Sequence, residues 1–291
     1  MKRLKEILGQ DLYCMFKRTN AEEIRIKRNA FLVIKDHNRM EISERYVSSQ
    51  DFDNIFERAC NYSYHSHEDT IKKGYVNAGE GIRIGLCGRA VTDNDIIASI
   101  ADIEYLVIRI PHYISGVCCP IIEHLGVKTD KSILLYSPPG VGKTTLIRDI
   151  SVRLSSKPIL KRVVLLDTRQ EIYLNEMSEN PLIAVYSGYP KKNALEAAIR
   201  TMSPDYVITD EIGSNDEAEA LIKYQNSGVS LIATAHADSL ESLLHRQGIR
   251  PLHDYKCFDA YCMISRYKNK YDFKFYSWEE AQRCLKLQDC V

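Results

Sequence analysis

The 291-residue sequence predicts an α/β fold: a C-terminal domain built on a mostly parallel sheet, preceded by a smaller α+β domain. The length is that of about two domains. From residue 132 onward, short apolar runs alternate with helical segments, which is typical of parallel strands covered by helices on both faces. Residues 1–125 instead mix strands and helices. We therefore expect domains at 1–125 and 132–291, joined by a hinge at 126–131.

The N-terminal domain is predicted from local patterns. A polar turn at Arg28-Asn29 separates two strand-like runs and indicates a hairpin. Apolar residues at helical spacing follow Ser49 and Asp51, either of which can serve as an N-cap. A last strand is ended by Pro111. In order, the predicted elements are strands at 23–27 and 31–34, a helix at 49–59, and strands at 74–77, 82–89 and 105–111.

The C-terminal domain is predicted from the alternation of apolar runs with amphipathic segments. Its expected strands are 133–136, 163–167, 206–210, 230–235 and 260–265, and its expected helices are 143–154, 194–202 and 216–225. Residues 271–291 leave two alternatives open. They form either a final strand and helix against the core or a docking tail.

The most informative motif is a glycine-rich loop between a predicted strand and a predicted helix. It consists of Ser137, Pro138, Pro139, Gly140, Val141, Gly142, Lys143, Thr144 and Thr145. This context is typical of a phosphate-binding P-loop, the Walker A motif. Its glycines turn backbone N–H groups toward the β- and γ-phosphates, Lys143 supplies a cation, and the Thr144 hydroxyl can ligate Mg²⁺. We therefore expect ATP and Mg²⁺ as ligands, although Ser137 stands where the strict motif has glycine.

A second apolar strand ends in two acids, Asp210 and Glu211, and is typical of a Walker B motif. Parallel topology brings the carboxyl end of such a strand beside the P-loop. There Asp210 could hold the Mg²⁺ hydration shell, and Glu211 could orient or deprotonate the attacking water. The alternative is that the two acids cap the next helix.

Two further strand ends carry polar residues that would face a nucleotide at the same edge of the sheet. Residues 165–171 carry an acidic box from Asp167 to Glu171 at the end of the neighbouring strand, and its acids would also face the nucleotide. Glu171 is either a second water-positioning carboxylate or a solvated loop acid. Residues 234–238 place Thr234 and His236 where a γ-phosphate sensor would lie. A histidine at a strand end can also be purely structural.

Composition bounds the class of protein. Lysine plus arginine equals aspartate plus glutamate, 39 of each, so the summed charge does not favour nucleic acid or an anionic membrane. Nine cysteines without a paired C-x-x-C pattern, and a start without a signal-peptide segment, favour a reducing, cytoplasmic compartment. No apolar run reaches the ~18 residues of a membrane span. Any membrane role is therefore expected through a partner.

The order of these motifs resembles the secretion, or traffic, ATPases of type II and type IV systems, which have a RecA-like P-loop NTPase core. Residues 198–205 are similar to that superfamily's lead-in to the Walker B strand, with one extra residue before Pro204. Residues 83–85 and 107–111 are similar to its arginine-bearing N-terminal strands. Over residues 20–267 the resemblance is closest to the sporulation stage III AA branch, with which Thr209-Asp210 also agrees.

The resemblance implies hexameric rings in which arginines reach the phosphates of ATP. By this analogy Arg83 and Arg109 neutralise transition-state charge, and Arg200 reports to a neighbouring subunit. For Arg89 a solvated strand-edge arginine is an equal alternative, whereas the apolar flanks of Arg109 argue against one. The implied partners are the membrane proteins of the channel between mother cell and forespore.

Two other functions stay open. A nucleic-acid motor would need a basic groove interleaved with aromatics, but only residues 266–274 have that character, and we interpret them as a solvated basic loop. A nucleotide-gated scaffold that hydrolyses little ATP is favoured by Ser137 and by Thr168, which stands where the acidic box is expected to have an acid. Because the sequence has no wider basic stripe interleaved with aromatics, nucleic acid is not an expected partner.

Overall fold

The computed structural model describes residues 2–16, 21–36, 39–126, 130–174, 177–268 and 270–286. The chain divides into two compact units. The first comprises the described residues up to His112 together with Leu174, and the second comprises the others from Tyr113 onward. Each unit has its own sheet.

The first unit is an antiparallel sheet of six strands in the order β3-β2-β1-β6-β5-β4. Its strands are β1 (Glu23–Lys27), β2 (Ala30–Asp36), β3 (Arg39–Val47), β4 (Tyr75–Gly79), β5 (Ile82–Asp93) and β6 (Ile96–Arg109). Its helices are α1 (Lys2–Phe16), α2 (Ser49–Ala59) and α3 (Glu68–Ile71), with a 3₁₀ turn at His65–His67. The predicted hairpin and strands are present.

The core of the first unit lies on one face of its sheet. Alternating apolar residues of the strands, such as Ile24, Ile84 and Ile108, pack with the apolar stripes of α1 and α2. Helix α2 is as predicted, but its N-cap is Ser48, which forms a reciprocal capping box with Asp51. Neither Ser49 nor Asp51 is the cap.

The second unit has a seven-stranded sheet in the order β13-β12-β7-β11-β10-β8-β9, parallel except for the last hairpin. Its strands are β7 (Ile133–Ser137), β8 (Val163–Asp167), β9 (Ile183–Ser187), β10 (Tyr206–Glu211), β11 (Ser230–His236), β12 (Ala260–Tyr267) and β13 (Lys270–Ser277). Its helices are α4 (Cys119–Leu125), α5 (Lys143–Ser155), α6 (Lys191–Thr201), α7 (Asn215–Lys223), α8 (Leu240–Leu244), α9 (Arg250–Asp254) and α10 (Trp278–Lys286).

Helices cover both faces of this second sheet, and a hydrophobic core lies under each face. The central strands are therefore apolar throughout; the first four residues of β7 are fully buried. The fold class is as predicted, and the described part of 271–291 continues β13 and forms α10. Residues 266–268 and 270–274 belong to the β12–β13 hairpin, so the interpretation as a solvated loop is wrong.

The division between the units falls earlier than the predicted boundary at 125. Asp149 on α5 accepts hydrogen bonds from the Tyr113 hydroxyl (3.0 Å) and from the backbone N–H groups of Gly116 (3.1 Å) and Cys118 (2.8 Å). These bonds fix the segment after His112 to the helix that follows the P-loop. Helix α4 then packs in the core of the second unit. Of the predicted hinge at 126–131, residues 127–129 lie outside the described residues.

Candidate nucleotide site

The P-loop connects β7 to α5 at the carboxyl edge of the second sheet, as predicted. Gly140 and Gly142 have left-handed φ angles of +78° and +112°, which side chains disfavour. At Gly142 a Cβ would also collide with the Tyr271 hydroxyl. Ser137, the departure from the motif, ends strand β7 and is fully buried; its hydroxyl donates to the Pro138 carbonyl at 2.9 Å.

Lys143 begins α5 and is only 8% exposed. Its ammonium donates to the carbonyls of Ser137 (2.9 Å) and Pro138 (3.1 Å) and to Nδ1 of His236 (2.8 Å). Burial lowers the pKa of Lys143 to about 8, although the charge of Glu211 opposes this shift. A buried ammonium with neutral acceptors is stabilised by an anion, such as a phosphate.

Asp210 and Glu211 end β10 at the same edge of the sheet. Asp210 Oδ1 lies 3.0 Å from Lys191 Nζ, while Oδ2 is buried and has no hydrogen-bond partner among the described residues. Lys191 also lies 3.0 Å from Glu217 Oε1 and donates to the Glu211 carbonyl at 2.6 Å. Sequence analysis missed both Lys191 and Glu217.

His236 lies between the Glu211 carboxylate and Lys143. Because Lys143 donates to Nδ1, the imidazole proton is assigned to Nε2, which faces Glu211 Oε2 at 3.4 Å. Arg169 Nη1 also lies 3.4 Å from Glu211 Oε2. His236 is itself positioned by Arg246, which donates to its carbonyl. The strand-end histidine thus lies between Lys143 and Glu211, and its role as a γ-phosphate sensor stays a prediction.

The acids after β8 have separate positions. Asp167 is buried, and its carboxylate accepts from the backbone N–H groups of Glu171, Ile172 and Tyr173 at 2.8–3.1 Å. Burial raises the pKa of Asp167 despite these bonds. Asp167 therefore stabilises the turn, which differs from the prediction that it faces the nucleotide. Glu171, in contrast, lines the cavity beside the P-loop.

A cavity of about 240 Å³ lies beside the P-loop in the second unit. Its lining includes Gly140, Gly142, Lys143, Thr144, Arg169, Glu171, Asp210, Glu211, Thr234 and His236. The residues fit a magnesium nucleotide on two observations. Gly140 and Gly142 adopt the left-handed conformations with which such loops turn backbone N–H groups toward a phosphate, and Thr144 and Asp210, whose Oδ2 has no partner among the described residues, both line the cavity.

Arg83 and Arg109 lie in the first unit, on the sheet face opposite to its core. They are paired across β5 and β6, and with Arg25 they line a cavity of about 440 Å³. The Arg83 guanidinium lies 3.9 Å from the centre of the Tyr75 ring. Arg109 is exposed, contrary to our expectation from its apolar flanks, because strand alternation buries Ile108 and Ile110 and directs residue 109 outward.

The remaining predicted residues lie on open surfaces. Arg89 is 67% exposed and pairs with Asp102 at 2.8 Å, and Arg200 is 66% exposed and pairs with Glu196 at 2.9 Å. In the segment with the extra residue, Ser203 directly before Pro204 has a left-handed φ of +47°. Burial raises the pKa of the Cys257 and Cys262 thiols to about 12, as expected of small core residues.

The fold defines the class of protein, because this chain has the fold of the secretion ATPases. The pilus retraction motor PilT, solved with bound ADP, superposes with a TM-score of 0.67 at 12% identity, covering 96% of this chain and 89% of PilT. The ATPase DotB of Yersinia pseudotuberculosis superposes with a TM-score of 0.61 at 16% identity, covering 96% and 81%. The RecA-like core and the preceding smaller domain are thereby confirmed.

Within that class, the chain belongs to the family described as sporulation stage III, protein AA, whose model matches residues 1–275. Stage III sporulation protein AA of Bacillus subtilis is 34% identical over 258 residues, which are 85% of this chain and 83% of that protein. In the part of the chain that the structure describes, we find no helix long and apolar enough to cross a bilayer.

Proposed function

We propose that this protein is a Mg²⁺-dependent ATPase that serves as a motor in sporulation. The observation that carries the proposal is the joining of three motifs around one cavity. Lys143 of the P-loop donates to His236 of strand β11 at 2.8 Å, and His236 Nε2 lies 3.4 Å from Glu211 Oε2 of the Walker B strand, with all three residues lining the cavity. Such a constellation is suited to phosphoryl transfer, in which positioning and charge stabilisation supply most of the catalysis.

Each residue has a distinct role in this proposal. The loop of residues 137–145 binds the phosphates, and Thr144 and Asp210 hold Mg²⁺, which neutralises phosphate charge when bound. Lys143 stabilises the negative charge of the transferred phosphoryl group. Glu211 orients the attacking water and accepts its proton. Glu171 is a second carboxylate that positions the attacking water, and His236 senses the γ-phosphate. His236 Nε2, which lies 3.4 Å from Glu211 Oε2, also orients the Glu211 carboxylate.

The roles of the first unit and of the assembly are also proposed. Arg83 and Arg109 present positive charge on an open face, and we assign them to neutralising charge in the transition state. The assembly is a hexameric ring, and Arg200 contacts a neighbouring subunit. The ring acts in the cytoplasm on membrane proteins of the channel between mother cell and forespore. The fold shared with the retraction motor PilT and the ATPase DotB, together with membership of the sporulation family, supports this proposal.

The experiment that tests it is steady-state ATP hydrolysis by the purified chain over a wide range of protein concentration. With Mg²⁺ we expect turnover per chain to rise cooperatively with concentration, and with EDTA we expect it to disappear. Sedimentation of the same samples with nucleotide reports whether a ring forms. Absence of ATP binding at every protein concentration would overturn the proposal. ATP binding with a turnover per chain that does not depend on protein concentration would instead contradict the hexameric ring.

A nucleotide-gated scaffold is the second candidate, and one observation favours it. The acid that opens the expected acidic box, Asp167, is used by backbone N–H groups. The site thereby has fewer carboxylates for chemistry. A ring that forms equally well with ATP and with a non-hydrolysable analogue, without turnover in the presence of its membrane partners, would select the scaffold.

A further inference from the structure

Lys191 occupies an unusual place for a lysine. It is the first residue of α6, where the positive end of the helix dipole disfavours a cation. Its side chain is only 6% exposed, and lysine is rarely buried unless it is paired. A residue that contradicts both local preferences at once indicates a specific requirement.

The partners of Lys191 show what that requirement is. Its ammonium reaches Asp210 Oδ1 and Glu217 Oε1 at 3.0 Å each, and it donates to the Glu211 carbonyl at 2.6 Å. The carbonyl accepts a hydrogen bond, and the two carboxylates lie within ion-pair distance of the ammonium. Lys191 thus contacts both residues that end the Walker B strand and joins them to the start of α7.

The two carboxylates differ in how completely they are satisfied. Glu217 Oε2 accepts from the backbone N–H groups of Gly213 (2.9 Å) and Ser214 (3.3 Å). Burial alone would raise the pKa of Glu217, but these bonds and the charge of Lys191 hold it below its usual range. Asp210, in contrast, has its Oδ2 buried and without a partner in the described part of the chain.

Charge also remains unbalanced in this cluster. One ammonium faces two carboxylates, so the group of Lys191, Asp210 and Glu217 carries a net charge of −1 when all three are ionised. A buried anion without a full complement of hydrogen bonds is costly. A divalent cation beside Asp210 Oδ2 would supply the missing charge and the missing partner.

We propose that Lys191 is a positioning residue for the magnesium site: it holds Asp210 through Oδ1 and leaves Oδ2 directed to the cation. This inference rests on the proposed nucleotide site. Partners outside the first coordination sphere orient metal ligands, and their loss typically weakens metal affinity or activity by ~10- to 100-fold. A lysine that only tied α6 to β10 and α7 would have no such effect on a folded protein.

The test is the equilibrium affinity for a non-hydrolysable ATP analogue, measured once with Mg²⁺ and once with EDTA. The ratio of the two affinities reports the magnesium coupling without any turnover. We expect Lys191→Met to keep the EDTA affinity of the parent and to lose the magnesium enhancement by ~10- to 100-fold. Glu217→Gln, which leaves the Lys191–Asp210 pair in place, should keep the enhancement. Lys192→Met, at the exposed neighbouring lysine, is the matched control.

Lys191→Met leaves two carboxylates without their cation, and its folding is checked by thermal unfolding. If it does not fold, Lys191→Met/Glu217→Gln removes one charge of each sign and is measured instead. A folded variant with the full enhancement overturns the proposal, as does failure of both variants to fold, since that makes Lys191 a structural tie. A parent chain that binds no analogue under either condition overturns the nucleotide site itself.

Discussion

The two edges of the second sheet both carry charged residues, but they use them differently. At the amino edge, where β8 and β10 begin, Asp205 accepts from the backbone N–H of Arg162 (2.7 Å) and from two nitrogens of its guanidinium (3.0 Å each). Both carboxylate oxygens are therefore satisfied. At the carboxyl edge, Asp210 Oδ2 has no partner among the described residues and Lys143 is held by neutral acceptors.

The number of hydrogen-bond partners that a buried charged group has distinguishes residues that stabilise the fold from residues that bind a ligand. In the Asp205–Arg162 pair, here called the closed pair, every carboxylate oxygen has a hydrogen-bond donor, so the pair contributes to folding. In the group of Lys143, Asp210, Glu211 and His236, here called the open cluster, a buried carboxylate oxygen is left for a ligand. The same residue types at two edges of one sheet should therefore respond differently to substitution. Changes at the carboxyl edge should affect chemistry and binding, and changes at the amino edge should affect stability.

Glu211→Gln should give the largest effect. The amide keeps the size of the side chain and its contact with His236 but cannot accept a proton from water. We expect ATP turnover to fall by ~10²-fold or more, as removal of a general base typically does, with ATP affinity retained. Steady-state hydrolysis and equilibrium binding check this, with Glu219→Gln on the exposed face of α7 as the matched control. Undiminished turnover would exclude Glu211 as the base.

Lys143→Ala should act on binding as well as turnover. Its ammonium is the cation of the P-loop, and charge-assisted hydrogen bonds to a ligand contribute ~1.5–3 kcal/mol each, so ATP affinity should fall by ~10- to 100-fold. Isothermal titration with Mg²⁺-ATP measures this loss, and Lys192→Ala on α6 should bind as the parent does. Equal affinity in Lys143→Ala and the parent would contradict the P-loop assignment.

The open cluster was largely predictable from the sequence. Lys143, Asp210, Glu211 and His236 each end or follow an apolar run, and parallel strands bring such positions to one edge. Lys191 was not predictable, because nothing in its local sequence distinguishes it from a solvated lysine. Its role depends on the folding of α6 against β10, which is a tertiary contact.

Three features, one in the first unit and two in the second, show where sequence patterns fail to predict the structure. Helix α1 was not predicted, although its apolar residues have helical spacing, because Gly9 interrupts it with a left-handed φ of +77°. Strand β9 was missed because it lies at the edge of the second sheet and is only half-buried. Asp167 was misassigned because an acid at a strand end can serve the backbone as readily as a ligand.

Arg109→Ala extends the comparison to a charge outside both edges. Arg109 is exposed on the open face of the first sheet, so folding should not depend on it. If the arginine stabilises transition-state charge, turnover should fall by ~10-fold or more while ATP affinity and melting temperature stay near those of the parent. Arg89→Ala, at an exposed arginine of β5 that pairs with Asp102, is the matched control. An unchanged rate would exclude Arg109 from transition-state stabilisation.

Asp205→Asn should give the smallest effect, and on stability alone. The Arg162 hydrogen bonds hold the pKa of Asp205 below its usual range, against the opposing effect of burial. A lowered folded-state pKa stabilises the protein above the unfolded pKa of ~3.9, and this stabilisation is lost as pH falls through the folded value. Because Arg162 is 54% exposed, the contribution should be about 1 kcal/mol.

Urea unfolding of the parent and of Asp205→Asn at several pH values measures that contribution. The difference in unfolding free energy should be greatest at neutral pH and should shrink below about pH 4, where the carboxylate of the unfolded chain protonates while that of the folded protein is still ionised. Asp11→Asn, at an exposed aspartate of α1, is the matched control. ATP turnover of Asp205→Asn should equal that of the parent. A loss of turnover without a loss of stability would contradict the distinction between the two edges, because Asp205 and Arg162 would then contribute to turnover and not to stability.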